Sequence, residues 1–508
     1  MSSSKDRFTR RHLIEAGTEK HTLAREKEKK EHHKSNILYS IIGAFIVLLF
    51  AAIFLYNSTW PSRHVTAVTI NGEKYTVAQL NYYYSTAYES FYQNYYTYFS
   101  YGYGPFKTDE SLAHQSYSDT MSWRDYFIQS AVDNMKQIQM LCDEANAAGF
   151  KMPDDEQTKY EDACNQIETG WSNYNYSNLD QFLNVYYGKG VTMDLVKQEM
   201  YRTDLASAYS SSIYNSYKYT TDAQNTYYTK NANDLDNISY AYYYLDKSTY
   251  TSDTVTADQA TKLVSDDAGK ITSAINGKDA DAFNAYLSKN FKGASATSTS
   301  NAGKSLSSTY SAWLLDASRK AGDAASFESD GSQYVVMFLG RDNNDYPLVN
   351  FRHILINAVD KDGDGKYSDT EVQTSYDTAE KYYKEWLAGT ADEDSFASMA
   401  GLYSDDTGSK TTGGLYEKVY KGQMVDVVNN WLFADGRKPG DSTVVTYNEG
   451  GSYTGTHVLY FVGYSDMTYA QYLADTAMRS NDYQTWSDNA MKSYTTATSS
   501  LFLCGKTH

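Results

Sequence analysis

The sequence predicts an α+β chain with an N-terminal transmembrane helix, a helical lobe, two copies of an α/β module and a C-terminal helix. Three observations predict it: an uncharged run of twenty residues, helical spacing of apolar residues after it, and an internal repeat of strands and helices. A length of 508 residues is enough for about three domains. The formal net charge of −18 excludes nucleic acid as the main partner, because phosphate binding needs a positive surface.

The uncharged run, residues 37–56, is long enough to cross a ~30 Å hydrocarbon core as a helix. It exceeds the apolar stretch of about 7–15 residues in a cleavable signal peptide, which favours an uncleaved anchor. The tail before it, residues 1–35, holds ten Lys and Arg against six Asp and Glu, whereas the rest of the chain holds 35 against 57. The positive-inside rule then predicts a single-pass cell-membrane protein, with 1–35 in the cytoplasm, 36–57 in the membrane and the bulk of the chain outside.

Residues 64–234 are predicted to form the helical lobe. It begins with a hairpin that turns at Asn71-Gly72, and a capping box of Thr76 and Gln79 then starts a helix. A helix-to-loop change is expected from about residue 86, and four further helices follow. The last part of the chain, 467–508, has a helical pattern and is expected to pack back on this lobe.

Two features of the outer part leave alternatives open. Cys142 and Cys164 flank a helical turn, and they either pair outside the cell or remain buried free thiols. Runs of tyrosine at 82–84, 95–98 and 242–244 either present amphipathic patches to unfolded polypeptides or pack the elements together.

An internal repeat divides the segment after residue 234 into two modules. Residues 313–323 (WLLDASRKAGD) correspond to 431–441 (WLFADGRKPGD), with six of eleven positions identical. An apolar strand precedes and another follows each copy. The repeat predicts two α/β modules, at 235–345 and 346–466.

The two modules differ in their histidines. His353 and His457 lie in or beside apolar strands of the second copy, whereas Tyr242 and Tyr334 take the corresponding positions of the first. A single histidine in such a strand is more often a hydrogen-bonded core residue. Two at matching ends of one module favour a functional pair.

The second module resembles a parvulin-type peptidyl-prolyl cis–trans isomerase domain. The resemblance rests on separate blocks in the family's order, which are 352–356 (RHILI), 395–399 (SFASM), 403–406 (YSDD), 413–415 (GGL), 421–424 (KGQM), 431–434 (WLFA), 438–441 (KPGD) and 454–458 (TGTHV). The layout of the chain is similar to PrsA- and SurA-type extracytoplasmic foldases, with a SurA-like chaperone lobe completed by the C-terminal helix. No Cys follows the apolar run, so the lipid attachment of PrsA-type lipoproteins is not expected.

The resemblance implies isomerisation of X–Pro bonds, with no cofactor for catalysis. It places His353, Asp406 and His457 in the polar catalytic centre. It assigns the substrate-binding surface to four residues, with Thr454 at the rim of a proline pocket lined by Met424, Val428 and Phe433. The family often has Phe where Val428 stands, which implies a shallower pocket. The first module, without either histidine, is expected to be a degenerate parvulin-like module.

Residues 360–371 (DKDGDGKYSDTE) have the spacing of an EF-hand calcium loop. The predicted Ca²⁺ ligands are Asp360, Asp362, Asp364, the carbonyl oxygen of Lys366, Ser368 and Glu371. A strand rather than a helix precedes the loop, so the predicted site is structural and not a sensor. The alternative is a solvated acidic loop.

Together these features predict a membrane-anchored extracytoplasmic foldase that catalyses X–Pro isomerisation in secreted proteins and has chaperone activity. Its expected partners are unfolded or folding secreted polypeptides and the membrane, which it enters through one N-terminal helix. A homodimer is also compatible with the sequence. Two other functions remain open, namely a non-catalytic peptide-binding chaperone and a calcium-stabilised surface adhesin.

Overall fold

The computed structural model describes residues 40–54, 57–449 and 453–499, together with a few separate residues before position 40. Residues 40–54 are helical and expose apolar side chains, with Phe45 at 65% and Phe50 at 67% exposure. Among the residues described, no helix is both long enough and apolar enough to span a membrane. Positions 37–39, 55 and 56 of the predicted anchor, and most of the predicted cytoplasmic tail, lie outside the described residues.

Helices and short strands alternate along the chain. The helices are α1 (Trp60–His64), α2 (Val77–Asn94), α3 (Tyr96–Ser100), α4 (Trp123–Ala147), α5 (Asp154–Gly170), α6 (Leu179–Tyr186), α7 (Met193–Ser216), α8 (Thr221–Lys230), α9 (Ala232–Leu235), α10 (Ala257–Ile275), α11 (Ala280–Asn290), α12 (Ser311–Leu314), α13 (Asp369–Ala388), α14 (Glu393–Tyr403), α15 (Asp426–Leu432) and α16 (Tyr469–Met491). The strands are β1 (Thr66–Ile70), β2 (Glu73–Thr76), β3 (Ser116–Ser118), β4 (Met121–Ser122), β5 (Asn237–Leu245), β6 (Thr297–Ala302), β7 (Ala324–Ser329), β8 (Ser332–Asp342), β9 (Pro347–Asn357), β10 (Leu415–Val419), β11 (Ser442–Tyr447), β12 (Gly455–Thr468) and β13 (Thr496–Thr498).

The chain divides into two compact units, and the first contains the residues up to 216 and those from 483 onward. Its three-stranded sheet has the order β13-β1-β2, and helices α2, α4 and α7 make up most of the remainder. The predicted hairpin is confirmed, since Asn71 and Gly72 adopt the positive φ angles of 48° and 89° that a tight turn requires. The capping box of Thr76 and Gln79 at the start of α2 is also confirmed.

The tyrosine runs of the first unit serve two different roles. The side chains of residues 82–84 are buried in the core, at 6%, 1% and 0% exposure. Tyrosines near α3 are instead exposed by 43–79%, and they are Tyr95, Tyr96, Tyr98, Tyr101 and Tyr103. Helix α2 continues to Asn94, so the expected loop from residue 86 is wrong. Phe91 packs on Phe127 and Trp123 of α4, and this tertiary contact holds the last turn.

Both cysteines of this unit are buried free thiols. The Cys142 thiol donates a hydrogen bond to the carbonyl oxygen of Arg202 at 3.3 Å. Of the two alternatives that the sequence left open, the structure therefore has the unpaired one.

The second unit, residues 217–482, contains two four-stranded antiparallel sheets with equivalent strand orders, β6-β5-β8-β7 and β10-β9-β12-β11. The repeated sequence makes the same contacts in both. Phe338 N donates to Asp323 O at 2.8 Å, and Phe461 N donates to Asp441 O at 2.8 Å. The arginine of each copy lies over the ring of its tryptophan, at 4.9 and 4.0 Å. Sequence repetition thus corresponds to repeated local structure.

Helices cover both faces of the second sheet. Helices α13 and α14 pack on one face through Trp386, Phe396 and Ala400, and α15 packs on the other through Val428 and Leu432. Because side chains alternate along a strand, every second residue of β9 and β12 points toward α15. This face carries the candidate site.

Helix α16 crosses the division between the units at residues 482 and 483. Within the first unit, a hydrogen bond of 2.6 Å joins the hydroxyls of Tyr483 and Ser210, and β13 pairs with β1. Residues 483–499 therefore complete the first unit.

Candidate active site

His353 and His457 lie next to each other on the α15 face of the second sheet. In the β9–β12 pair His353 is opposite Leu459 and His457 is opposite Leu355, which makes the two histidines diagonal neighbours. Their rings stack with centroids 5.4 Å apart, and their Nδ1 atoms are 3.2 Å apart. Both side chains are buried, at 3% and 2% exposure. The structure thus brings the two predicted histidines together.

The loop after α14 brings Asp406 to the same place. Leu355 N donates to Ser404 Oγ at 3.1 Å and Asp405 N donates to Leu355 O at 2.8 Å, so this loop runs along β9. Asp406 Oδ2 then lies 2.8 Å from His353 Nε2. The three residues predicted for the catalytic centre form one continuous chain of contacts.

Gly414 permits the close approach of a second segment to His353. The His353 N–H donates to Gly414 O at 2.9 Å. Gly414 has a φ of +73°, and a Cβ atom there would collide with the carbonyl oxygen of His353. Only glycine fits this position without displacing the strand.

Three hydroxyl groups complete the network, and the sequence reasoning missed all three. Tyr416 donates to Asp406 Oδ2 at 3.0 Å, and Ser409 Oγ donates to the same oxygen. At the other end, the hydroxyl oxygen of Tyr453 is 3.0 Å from His457 Nε2. Their closeness to the family blocks was the only available signal, and a hydroxyl has no spacing rule that distinguishes a site residue from a surface one.

The network is charged at one end. Hydrogen bonds from His353, Ser409 and Tyr416 hold the pKa of Asp406 well below its ordinary value, although partial burial acts in the opposite direction. Burial, together with the neighbouring His353, lowers the pKa of His457 to about 3. Burial and the bond to Asp406 raise the pKa of Tyr416 to about 12. At neutral pH Asp406 is therefore ionised, whereas His457 is uncharged.

The residues predicted for proline binding are only partly accessible. Met424 precedes α15 and Phe433 follows it, and both side chains are half-buried beside the site. Val428 is fully buried at 0% exposure in the core below α15, so it supports this surface from beneath and does not line it. Thr454 is also buried, at 3% exposure, and its carbonyl accepts from Ala358 N at 2.9 Å. The predicted lining by Val428 and rim position of Thr454 are corrected accordingly.

The first sheet has tyrosines in the equivalent register. Tyr242 is opposite Val336, and Tyr334 is opposite Tyr244, which repeats the diagonal arrangement of the two histidines. The rings of Tyr242 and Tyr334 are 6.3 Å apart. Aromatic rings thus occupy the place that the histidine pair has in the second sheet.

The acidic loop between β9 and α13 brings three predicted calcium ligands together. Asp360, Asp362 and Asp364 each place a carboxylate oxygen within 4.8 Å of the others. Glu371 lies outside this cluster, where it accepts from Ser368 N at 2.8 Å in the capping box of α13. The predicted Ser368 and Glu371 ligands therefore serve the helix start in this structure, because the same spacing satisfies a capping box.

Acid is expected to destabilise the second sheet through His457. The pKa of this residue is about 3 in the folded chain and about 6.5 when unfolded, so between these values only the unfolded state binds the proton. This contribution to stability is fully present above about pH 6.5 and decreases as the pH falls. The loss amounts to about 2 kcal/mol between pH 7 and pH 5. Hydrogen exchange of β9 and β12 amides, corrected for intrinsic exchange rates, measures it.

His457→Asn is the matched control, since asparagine does not titrate in this range. The lowered pKa of Asp406 adds its own loss only below about pH 4. An equal loss between pH 7 and pH 5 in His457→Asn would assign the acid sensitivity to other groups.

Comparisons with known proteins were made for the whole chain. Residues 335–458 match the family model described as the PPIC-type PPIase domain. A crystal structure of the peptidylprolyl isomerase PrsA from Bacillus anthracis is similar over 49% of this chain and 89% of that chain, with 14% identity and a TM-score of 0.19. A TM-score this low does not establish a common fold. The search of curated proteins gave no match.

The family match covers roughly a quarter of the chain. It includes β9, the loop that carries Asp406, and β12 as far as the residue after His457. The matched segment and the contacts of these side chains coincide. Residues 335–458 are thereby identified as a parvulin-type peptidyl-prolyl cis–trans isomerase domain.

Proposed function

We propose that the chain is a membrane-anchored extracytoplasmic foldase, which isomerises X–Pro bonds in secreted polypeptides and holds these while they fold. The observation that carries the proposal is the contact chain of His457, His353 and Asp406 beside the half-buried Met424 and Phe433. It puts a hydrogen-bonded polar wall next to an apolar surface. Both are useful for rotating a prolyl amide.

The reaction is a rotation and breaks no covalent bond. Its uncatalysed barrier is ~18–20 kcal/mol, because resonance gives the C–N bond partial double-bond character. The twisted amide loses this resonance and is less dipolar than the planar one. Transfer from water to an apolar surface therefore favours the twist, with Met424 and Phe433 holding the proline ring. The uncharged state of His457 keeps this environment of low polarity.

Catalysis is assigned to the second module, 346–466, and the first, 235–345, is taken as a degenerate parvulin-like module. The equivalent strand orders and repeated contacts support a common origin of the two. Among the described residues, no hydrogen bond connects the hydroxyls of Tyr242 and Tyr334 to a carboxylate, so the first sheet has no network of the same kind.

A protease-coupled isomerisation assay of the full chain on a proline tetrapeptide tests this assignment. The wild-type chain is expected to accelerate isomerisation, and the double variant His353→Ala/His457→Ala is expected to lose the acceleration. Tyr242→Phe/Tyr334→Phe is the matched control in the first sheet and is expected to retain it. Loss of turnover in the tyrosine variant alone would move the activity to the first module.

Chaperone activity and anchoring rest on separate observations. The five exposed tyrosines at 95–103 present amphipathic rings that suit unfolded polypeptides, and aggregation of a client should increase when they are replaced by serine. The uncharged run 37–56 and the basic tail before it support an anchor with its N-terminus in the cytoplasm. External protease should then digest the chain beyond residue 57 in intact cells and spare the tail.

The acidic loop is proposed to bind Ca²⁺ through Asp360, Asp362 and Asp364, with Glu371 turning toward the ion on binding. The three aspartates are hard oxygen ligands in close proximity, and without a cation their mutual repulsion opposes the compact turn. Such an ion would brace the connection between β9, which carries His353, and α13. It would stabilise the module and have no part in the isomerisation itself.

Calcium is expected to raise the melting temperature of the second module. Extracellular sites of this type bind at about 10⁻⁴–10⁻³ M, and a concentration of 100 times the Kd adds ~2.7 kcal/mol. Glu371→Gln should remove most of the rise, because glutamine keeps the capping box but loses a charged ligand. Asp369→Asn is the control at a loop position outside the ligand set, and Mg²⁺ should substitute poorly. Calorimetry of the full chain measures the effect, and an unchanged transition between chelator and millimolar calcium would contradict it.

A further inference from the structure

Tyr453 lies at the end of the histidine network, opposite to the carboxylate. It comes four residues before His457, just ahead of β12, and its hydroxyl oxygen is 3.0 Å from His457 Nε2. The ring meets the imidazole at 68° with centroids 6.0 Å apart, and its other neighbour is Tyr447, at 5.3 Å. The resemblance assigns no role to this residue.

The proton positions along the network follow from its two ends. The ionised carboxylate of Asp406 only accepts, so His353 Nε2 carries a proton and donates. The contact between the Nδ1 atoms needs one donor and one acceptor. In the neutral pair, His353 Nδ1 is the acceptor and His457 Nδ1 carries the proton. His457 Nε2 then has no proton and accepts from the Tyr453 hydroxyl.

We propose that Tyr453 is a positioning residue of the isomerase site, whose hydroxyl holds His457 in the Nδ1–H tautomer and thereby orders His353. The proposal rests on the proposed function for its effect on turnover. The Tyr453 hydroxyl, the two imidazoles and Asp406 then form a chain of hydrogen bonds that all point the same way, toward the carboxylate.

The alternative tautomer is unfavourable while the Tyr453 hydroxyl donates. With the proton on Nε2, His457 Nδ1 would face the unprotonated Nδ1 of His353, and a buried hydrogen bond would be lost. Without the hydroxyl, His457 Nε2 has no donor among its contacts, and the preference between the two tautomers weakens. The surface beside the proline ring would then alternate between two arrangements.

Tyr453→Phe in the full chain tests the proposal directly. Long-range ¹H–¹⁵N spectra of a histidine-labelled chain report which ring nitrogen carries the proton, and His457→Asn identifies the signal of His457. The wild-type chain is expected to show a single Nδ1–H tautomer at His457, and Tyr453→Phe a mixture of both. Turnover of a proline peptide should fall about fivefold in kcat, the effect of one hydrogen bond, with KM nearly unchanged.

Tyr447→Phe is the matched control, since it keeps the ring contact with Tyr453 and has no hydroxyl bonded to a histidine. It should leave both the tautomer and kcat as in the wild type. An Nε2–H tautomer in the wild type, or a single unchanged tautomer in Tyr453→Phe, would overturn the proposal. The spectra need no turnover, so a chain with the expected tautomers but no isomerase activity would contradict the proposed function alone.

Discussion

Asp406→Asn is expected to lower kcat/KM for a proline peptide by about 10- to 100-fold, which is the effect of losing one hydrogen bond to a charged group. The carboxylate accepts from His353 Nε2, Ser409 Oγ and the Tyr416 hydroxyl through one oxygen. An amide has one acceptor oxygen and an NH₂ group that only donates, so it cannot replace this acceptor in every orientation. The ring of His353 loses its fixed partner. Steady-state kinetics measure the loss.

Asp405→Asn is the matched control for this variant. The Asp405 carboxylate accepts from Asn357 N at 2.9 Å and does not contact the histidines. Its replacement should change kcat/KM by less than about twofold. Equal losses in the two variants would mean that the loop, and not the carboxylate of Asp406, is what the reaction requires.

Gly414→Ala is expected to abolish turnover and to destabilise the second sheet by several kcal/mol. The added Cβ would meet the carbonyl oxygen of His353, and the φ of +73° is itself unfavourable for alanine. The β9 strand must then move away, which breaks the hydrogen bond from His353 N to Gly414 O. Hydrogen exchange of β9 and the isomerase assay should show both effects.

Gly436→Ala separates the collision from the backbone strain. Gly436 has a similar φ of +79°, but nothing lies within 4 Å of an added Cβ. Its replacement should cost about 1 kcal/mol and leave kcat within twofold. If both variants lost turnover equally, backbone strain at a glycine would explain the result without the contact at His353.

Local signals in the sequence were enough to predict many elements. Thr76 and Gln79 determine the start of α2, and Asn71-Gly72 determines the turn before it, since these residues act through contacts with near neighbours. His353 and His457 were found by comparing the two copies of the repeat, and the register of β9 and β12 brings their rings together.

Other features depend on tertiary contacts that no local pattern reports. Val428 has the same residue type whichever way α15 turns, and only its packing decides that it is buried at 0% exposure. Glu371 fits both an EF-hand loop and a capping box, and the two roles have the same spacing. Tyr453 is one of 51 tyrosines, and its position at His457 Nε2 appears only in the folded chain.

NMR exchange spectroscopy on a peptide with one X–Pro bond tests the central claim most directly. It measures the rate of cis–trans interconversion itself, which takes tens to hundreds of seconds without a catalyst. Catalytic amounts of the wild-type chain should give exchange between the cis and trans signals, and His353→Ala/His457→Ala should not. Absence of exchange with the wild type, or equal exchange with the double variant, would contradict the assignment of catalysis to this histidine network.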